Sequence, residues 1–339
     1  MGEIILIRKD LDVLISQEKV RSLAHSYGFS DKAEEDLAII AGELASNLVK
    51  HTSAGGTLGI EYYPEEGSIE IIAEDSDRGF RIDAIRDGFS TANSLGIGLG
   101  AVNRLSDEMY FGRYERFQVR AKKYREASTF RLDVSALSYP TMNMVGTNGD
   151  GFTVVRRHNY ALVAVMDALG HGIAAHEAVT AAKDIIEREH YLDLNDLILR
   201  IHEILKSNGM KGIAGSFIKY QSAGWGELSA VGNVYTKFYY PGQRNSVRLI
   251  ESEGIIGERI RKLNCQRFDI ADHMLTVMFS DGISSQLEVR EYQRDLPLVE
   301  LSHILMNSYS KGHDDRTILL GRLHFNKSET ITSQSRSGA

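Results

Sequence analysis

The sequence predicts an α+β fold divided into two domains, and three observations predict it. The chain has 339 residues, of which 42% are apolar and 25% charged, enough material for two ordinary cores. Strand-type and helix-type periodicities follow one another through both halves. At Ser135–Tyr139 the pattern breaks, and strands and a new Gly-rich motif restart after it. The expected limits are residues 1–135, residues 138–323 and a disordered tail over 324–339.

In order, residues 3–8 alternate weakly as a strand and residues 13–27 have amphipathic helical spacing ended by Gly28. Ser30 can cap a second helix to about His51, with Leu37, Ile40, Leu44 and Leu48 on one face. Thr57–Tyr63 and Ser68–Glu74 predict a hairpin around Pro64-Glu65-Glu66-Gly67. A Gly-rich stretch from Gly88 to Gly100 opens into a helix near Ala101–Leu105, and strands over Asp107–Arg113, Phe117–Lys123 and Ser128–Val134 complete the first domain. The second is strand, strand, helices over Ala174–His190 and Leu194–Ser207, then further strands. The polar, Ser/Thr-rich tail lacks periodicity.

Composition narrows the function. A net charge of −7 with no long basic run argues against nucleic acid and anionic membrane as partners. Cys265 is the single cysteine, which excludes a disulfide framework and a thiolate zinc site and fits a reducing cytoplasm. The apolar stretch after Met1 is too short for a signal peptide, and nothing approaches the ~20 apolar residues that span a bilayer. A cytoplasmic protein is expected.

The first group of chemistry-bearing residues lies before residue 101. Glu43, Asn47 and Lys50 or His51 fall on neighbouring turns of one helix face, where Asn47 can ligate Mg²⁺ and Glu43 can take a proton. The same spacing also fits a solvated polar stripe. Asp75 ends a strand, can accept a hydrogen bond from an exocyclic amine, and is followed by Gly79. Gly96, Gly98 and Gly100 lead into a helix, where backbone N–H groups and the helix N-terminus favour phosphate.

In this order the pieces resemble GHKL-type (Bergerat) ATPase domains, an α/β sandwich, and among them RsbT-like serine kinases and anti-sigma-factor ATPases. The likeness covers about residues 5–134 and includes Gly88-Phe89-Ser90-Thr91, Leu95-Gly96-Ile97-Gly98-Leu99-Gly100 and Arg104-Leu105. It implies Glu43 as general base toward a protein serine hydroxyl, Asn47 as the ligand of the Mg²⁺ that accompanies ATP, Asp75 as adenine reader with Gly79 beside it, and Gly96, Gly98 and Gly100 as the phosphate lid. The family prefers a glycine two residues after the aspartate, where this chain has Asp77.

The second group is four acidic clusters: Gly149-Asp150-Gly151, Asp167-Ala168-Leu169-Gly170-His171-Gly172, Ser280-Asp281-Gly282 and Asp314-Asp315-Arg316-Thr317. Most flank apolar runs such as Ala161–Met166, Met274–Phe279 and Thr317–Leu320, which places carboxylates at strand ends. Alone, each fits a turn or a cap. Converging carboxylates need a cation, and hard oxygen ligands favour Mg²⁺ or Mn²⁺. Two such ions activate a water and clamp a phosphoryl group. His171 reads equally as a ligand or general acid and as a helix-start residue.

This set resembles the PPM-type serine/threonine phosphatases of the SpoIIE/RsbX branch, an α-β-β-α sandwich, over about residues 138–323. The resemblance implies Asp167 bridging two metals with a backbone contribution from Ala168, Asp281 and Asp314 on one ion and Asp150 on the other. Asp314 rather than Asp315 matches, three residues before Thr317. The family's phosphate-binding basic residue has no clear counterpart, with Arg156 and Arg157 as candidates.

The two resemblances together imply a bifunctional regulator of a bacterial partner-switching (stress or sigma-factor) pathway. It would phosphorylate a STAS-domain or stressosome-type protein with ATP and dephosphorylate phosphoserine or phosphothreonine, with a homodimer as a further partner to test. The alternative is a phosphatase only, its N-terminal domain an ATP-sensing or partner-binding module.

Overall fold

A computed structural model describes residues 2–52, 54–64, 66–75, 95–113, 117–126, 130–141, 147–157, 159–312 and 314–325. The elements of the first half are β1 (Gly2–Ile7), α1 (Asp10–Ser26), α2 (Asp31–His51), β2 (Gly56–Tyr63), β3 (Ser68–Asp75), α3 (Leu95–Leu105), β4 (Glu108–Arg113) and β5 (Phe117–Tyr124). Ser30 caps α2 as its sequence position suggests, its Oγ accepting the Ala33 N–H at 3.3 Å. The apolar stripe Leu37, Ile40, Leu44 and Leu48 is at most 1% exposed and packs on Leu58, Ile60, Ile69 and Ile71 of β2 and β3. Each such side chain contributes about 1.5–3 kcal/mol on burial. The helix expected near Ala101–Leu105 begins earlier, at Leu95, so Gly96, Gly98 and Gly100 lie inside α3.

The second half holds β6 (Phe130–Tyr139), β7 (Asp150–Arg157), β8 (Tyr160–Ala168), α4 (Ile173–Glu189), α5 (Leu194–Ser207), β9 (Ile213–Gln221), β10 (Trp225–Val231) and β11 (Tyr235–Tyr239). After two-residue strands β12 (Gly254–Ile255) and β13 (Arg259–Ile260) come β14 (Cys265–Asp269), β15 (Leu275–Phe279), α6 (Leu298–Tyr309) and β16 (Arg316–Phe325). One sheet runs β14-β10-β9-β8-β7, and the strands β6-β16-β15-β11 form the other. Phe130, Val134, Val163, Ile218, Phe238 and Met278 fill the space between them. A second core lies under α4 and α5, with Ala178, Ile185, Leu197 and Ile201 on Leu162 and Phe217. A third lies under α6, with Leu301 and Leu305 against Val277 and Leu320. The layer order is α-β-β-α.

The two halves share a sheet. Its order is β1-β2-β3-β5-β4-β6-β16-β15-β11, continuous because β4 pairs parallel with β6 over Tyr110–Arg113 and Val134–Leu137. The expected junction Ser135–Tyr139 is therefore not a linker: it lies inside β6, which pairs antiparallel with β16 along all ten of its residues. β6 belongs throughout to the cores of the second half, with Phe130, Leu132, Val134 and Ala136 between the sheets and Leu137 under α6.

Period-two alternation in β3, β4 and β5 puts Glu70, Glu108, Tyr110, Lys122 and Tyr124 on the face away from α1 and α2, and all are at most 7% exposed. What covers them is β7: Arg156 pairs with Glu108 at 3.3 Å and Arg157 with Glu66 at 3.0 Å, while Lys122 reaches Glu66 at 3.0 Å. A face with the pattern of a solvated sheet surface is thus the ionic seam between the halves.

Candidate active sites

In the N-terminal half, α2 sets Glu43 and Asn47 one turn apart. Asn47 is 8% exposed, so this is no solvated stripe, and Glu43 is half-buried beside it. Asp75 closes β3 at 1% exposure, level with Gly56 of β2. A buried amide on α2 and a buried acid at the end of β3 thus stand in the same helix-covered half. Lys50, at the end of the helix, is exposed. Gly79 and the Gly88–Thr91 stretch lie outside the described residues. Gly96, Gly98 and Gly100 sit on the first turns of α3, which packs against α2 through Leu99 and Val102.

In the C-terminal half the acidic clusters converge. Asp150 opens β7 directly opposite Asp167 near the end of β8, and the Ala168 N–H donates to the Gly149 carbonyl at 2.9 Å. Asp281 follows β15, and Asp314 precedes β16, its neighbour in the sheet. Close approach of these turns requires glycine: a Cβ on Gly282 would stand 1.9 Å from the Asp315 carbonyl oxygen, and one on Gly149 3.0 Å from Asp315 Oδ2.

The carboxyls feel one another. Burial, then Asp150, Asp281 and Asp314, push the Asp167 carboxyl up to about 9. Burial pushes Asp150 up to about 7, with Asp315 and Asp281 adding to it and hydrogen bonds from Ser280 and Thr317 opposing. Asp281 is also raised, by burial and by Asp314, against the pull of Lys311. Lys311 and the hydrogen-bond donors do not offset the burial and mutual repulsion of these carboxyls, all three of which stay raised. Such a set fits hard divalent cations bound through oxygen, with Asp150, Asp167, Asp281 and Asp314 as donors.

Asp314 and Asp315 divide their labour. Asp315 is 5% exposed, and its two oxygens accept the Thr141 and Gly149 N–H groups, both at 2.7 Å. Asp314 is exposed, and its field reaches Asp167 and Asp281. One aspartate ties Thr141 and Gly149, and the other faces the cluster.

Several contributors escaped the sequence reading. Ser280 Oγ donates to Asp150 Oδ2 at 2.6 Å and accepts the Thr317 N–H at 2.9 Å. Asn148 accepts the Asp150 N–H at 3.0 Å and donates to Ser138 Oγ at 2.8 Å, while His176 donates to the Asn148 carbonyl at 3.1 Å. Asn233 donates to Asp281 Oδ2 at 2.6 Å, and Lys311 to the Asp281 carbonyl at 2.5 Å. Asn148 carried a usable signal, an Asx residue two before a strand-opening aspartate; Asn233 and Ser138 carried none.

Two sequence candidates are placed elsewhere. Arg156 and Arg157 do not join the carboxylate cluster, because the β7 register carries them to its far end, where they bind Glu108 and Glu66. His171 is exposed just before α4, with no role set by its surroundings.

Known proteins resemble this chain in two respects. Residues 15–123 match the family model of the histidine kinase-like ATPase domain. The serine/threonine-protein kinase RsbT of Bacillus subtilis is 35% identical over 108 residues, which are 30% of this chain and 79% of that kinase. The serine-protein kinase RsbW of Halalkalibacterium halodurans is 32% identical over 100 residues, 26% of this chain and 62% of the kinase. The crystal structure of RsbX in complex with magnesium superposes with a TM-score of 0.51 at 22% identity, over 57% of this chain and 95% of RsbX. That likeness shows the fold of the second half.

Proposed function

This chain belongs, through residues 15–123, to the family of histidine kinase-like ATPase domains and RsbT-type kinases, and on that premise we propose that it is a two-activity regulator of a bacterial partner-switching pathway. Its N-terminal half transfers phosphate from ATP to a serine or threonine of a small STAS-domain protein. Its C-terminal half, a PPM-type phosphatase with Mg²⁺ or Mn²⁺, removes that phosphate. The observation that carries the reading is the convergence of Asp150, Asp167, Asp281 and Asp314 in a domain with the RsbX fold, joined by a shared sheet to the kinase-type domain.

In the phosphatase half the ions, when bound, would supply an activated water and a clamp on phosphoryl oxygens. Asp167 and the Ala168 carbonyl would hold both ions, Asp281 and Asp314 would serve one and Asp150 the other. The chain's own work is positional: Ser280, Asn233 and the Asn148–His176 pair hold these carboxylates in place. In the kinase half Glu43 accepts the proton of the attacking hydroxyl, Asn47 holds the Mg²⁺ of ATP, Asp75 reads the adenine amine, and Gly79, Gly96, Gly98 and Gly100 belong to the phosphate lid.

Glu43→Ala separates this reading from one in which the first half only senses ATP. Phosphotransfer from ATP to a STAS-domain protein falls by at least about 100-fold with ATP affinity unchanged if Glu43 is the base. If the unaltered chain binds ATP but transfers no phosphate under any metal condition, the first half is a sensing or docking module.

A further inference from the structure

Away from both sites, Asp272, His273 and His324 gather where the β14–β15 turn meets the end of β16. One ligand-type atom from each lies within 4.8 Å of the other two. Ten residues of strand separate His324 from Asp314, about 30 Å of extended chain, so this group is independent of the carboxylate cluster.

Two of the side chains are oriented by hydrogen bonds, and the third is placed by its backbone. His324 Nε2 lies 3.2 Å from Asp133 Oδ2, and Arg131 grips that carboxylate with hydrogen bonds of 2.7 and 3.1 Å. With Nε2 donating to Asp133, Nδ1 is left as a lone-pair ligand, the carboxylate–imidazole–metal relay that fixes tautomer and ring orientation in known centres. Asp272 Oδ1 accepts the Phe325 N–H at 3.1 Å, leaving Oδ2 toward His273 Nε2 at 3.7 Å. The His273 N–H donates to the Leu323 carbonyl at 2.8 Å, which fastens the turn to β16. His273 is the one non-glycine among the described residues with a left-handed backbone, φ 60°. That conformation costs about 1–2 kcal/mol for an ordinary residue and persists where surroundings impose it. The two rings meet edge to face, centroids 4.9 Å apart.

We propose that Asp272, His273 and His324 form a second metal site, selective for Zn²⁺-class ions and distinct from the Mg²⁺/Mn²⁺ centre. Two imidazoles and a carboxylate suit a borderline ion and leave a fourth, tetrahedral position for water. Ligands on one zinc stand about 3.4 Å apart, and these atoms already lie within 4.8 Å of one another. The ion clamps the β14–β15 turn to β16, the strand whose opposite end follows Asp314 and Asp315.

The test is calorimetric titration of the untagged, metal-stripped full chain with Zn²⁺ in excess Mg²⁺. The unaltered protein takes up one Zn²⁺ equivalent, which His324→Ala weakens at least about 10-fold. His273→Asn, which tolerates the left-handed backbone, does the same, while Mn²⁺-dependent phosphatase activity and circular dichroism are unchanged in both. Equal Zn²⁺ stoichiometry and affinity in the unaltered chain and the double variant overturn the proposal. So does loss of the Zn²⁺ equivalent in Asp281→Asn alone, which assigns it to the carboxylate cluster.

Discussion

The Ser280 hydroxyl stands 2.6 Å from Asp150 Oδ2, across 130 residues of chain, and takes the Thr317 N–H on its other side. One buried side chain thus locks three of the four acidic turns together. Removing it takes one of the two side-chain donors from Asp150, leaving Thr317, and leaves the buried Thr317 N–H without its Ser280 acceptor. Ser280→Ala is expected to raise the Mn²⁺ concentration for half-maximal phosphatase activity about 10–100-fold, with kcat largely recovered at saturating metal. A metal titration of activity checks it, and an unchanged midpoint with lower kcat contradicts it.

Asn233 donates to Asp281 from outside the acidic motifs. Asn233→Ala frees Asp281 to rotate, and the expected result is a rise in the Mn²⁺ midpoint of about 10-fold with ATP affinity unchanged. A loss of ATP binding in this variant would place the damage in the fold rather than in the site.

The seam between the halves rests on buried charge. The side chains of Arg156 and Glu108 are only 5% and 3% exposed. Burial already raises the Glu108 carboxyl, with Arg156, Lys122 and the Tyr124 hydroxyl opposing the rise. Arg156→Ala strands that acid and should destabilise the chain by about 3–5 kcal/mol, whereas Glu108→Met with Arg156→Met should recover most of the loss. Urea denaturation of the three proteins decides, and a loss below about 1 kcal/mol in the single variant contradicts a buried pair.

His190 couples this seam to pH. Its Nε2 accepts from Arg157 at 2.7 Å, and its Nδ1 meets the Tyr160 hydroxyl at 2.6 Å, an arrangement that requires a neutral ring. Burial first, then Arg157 and Lys219, push the imidazole down to about 4, with Glu66 opposing; the Tyr191 ring packs on its edge. The unfolded chain therefore binds more protons between about 4 and the ordinary 6.5. This contribution is fully present above 6.5 and is lost as pH falls toward 4. Half-exposed, it is worth on the order of 1 kcal/mol. Unfolding free energies in chelator at pH 7.5 and 5.0 test it: the advantage of the unaltered chain over His190→Gln shrinks at the lower pH, and a constant difference contradicts the account.

Local signals carried much of this structure. Capping at Ser30, the Leu37–Leu48 stripe and the hairpin around Pro64 are short-range features, and they appear where their periodicity puts them. The continuous sheet was not legible, because pairing of β4 with β6 depends on contacts that no local pattern encodes. For the same reason Arg156 looked like a phosphate ligand: its type suggested chemistry, while the β7 register, a tertiary fact, turned it to the seam. The acidic turns themselves stood out because glycine neighbours and adjacent apolar runs mark strand ends. Their supports, Ser138 and Asn233, are ordinary polar residues until the fold brings them in.

The central claim, that one chain writes and erases the same phosphate, is tested most directly with [γ-³²P]ATP, Mg²⁺ or Mn²⁺, and STAS-domain proteins of the source genome. The unaltered chain is compared with Asp281→Asn, which removes a carboxylate of the phosphatase cluster and leaves Glu43 and Asn47 intact. The account predicts that label accumulates on one STAS-domain protein with the variant and turns over with the unaltered chain. Label absent with both, while the unaltered chain dephosphorylates the pre-phosphorylated protein, contradicts it.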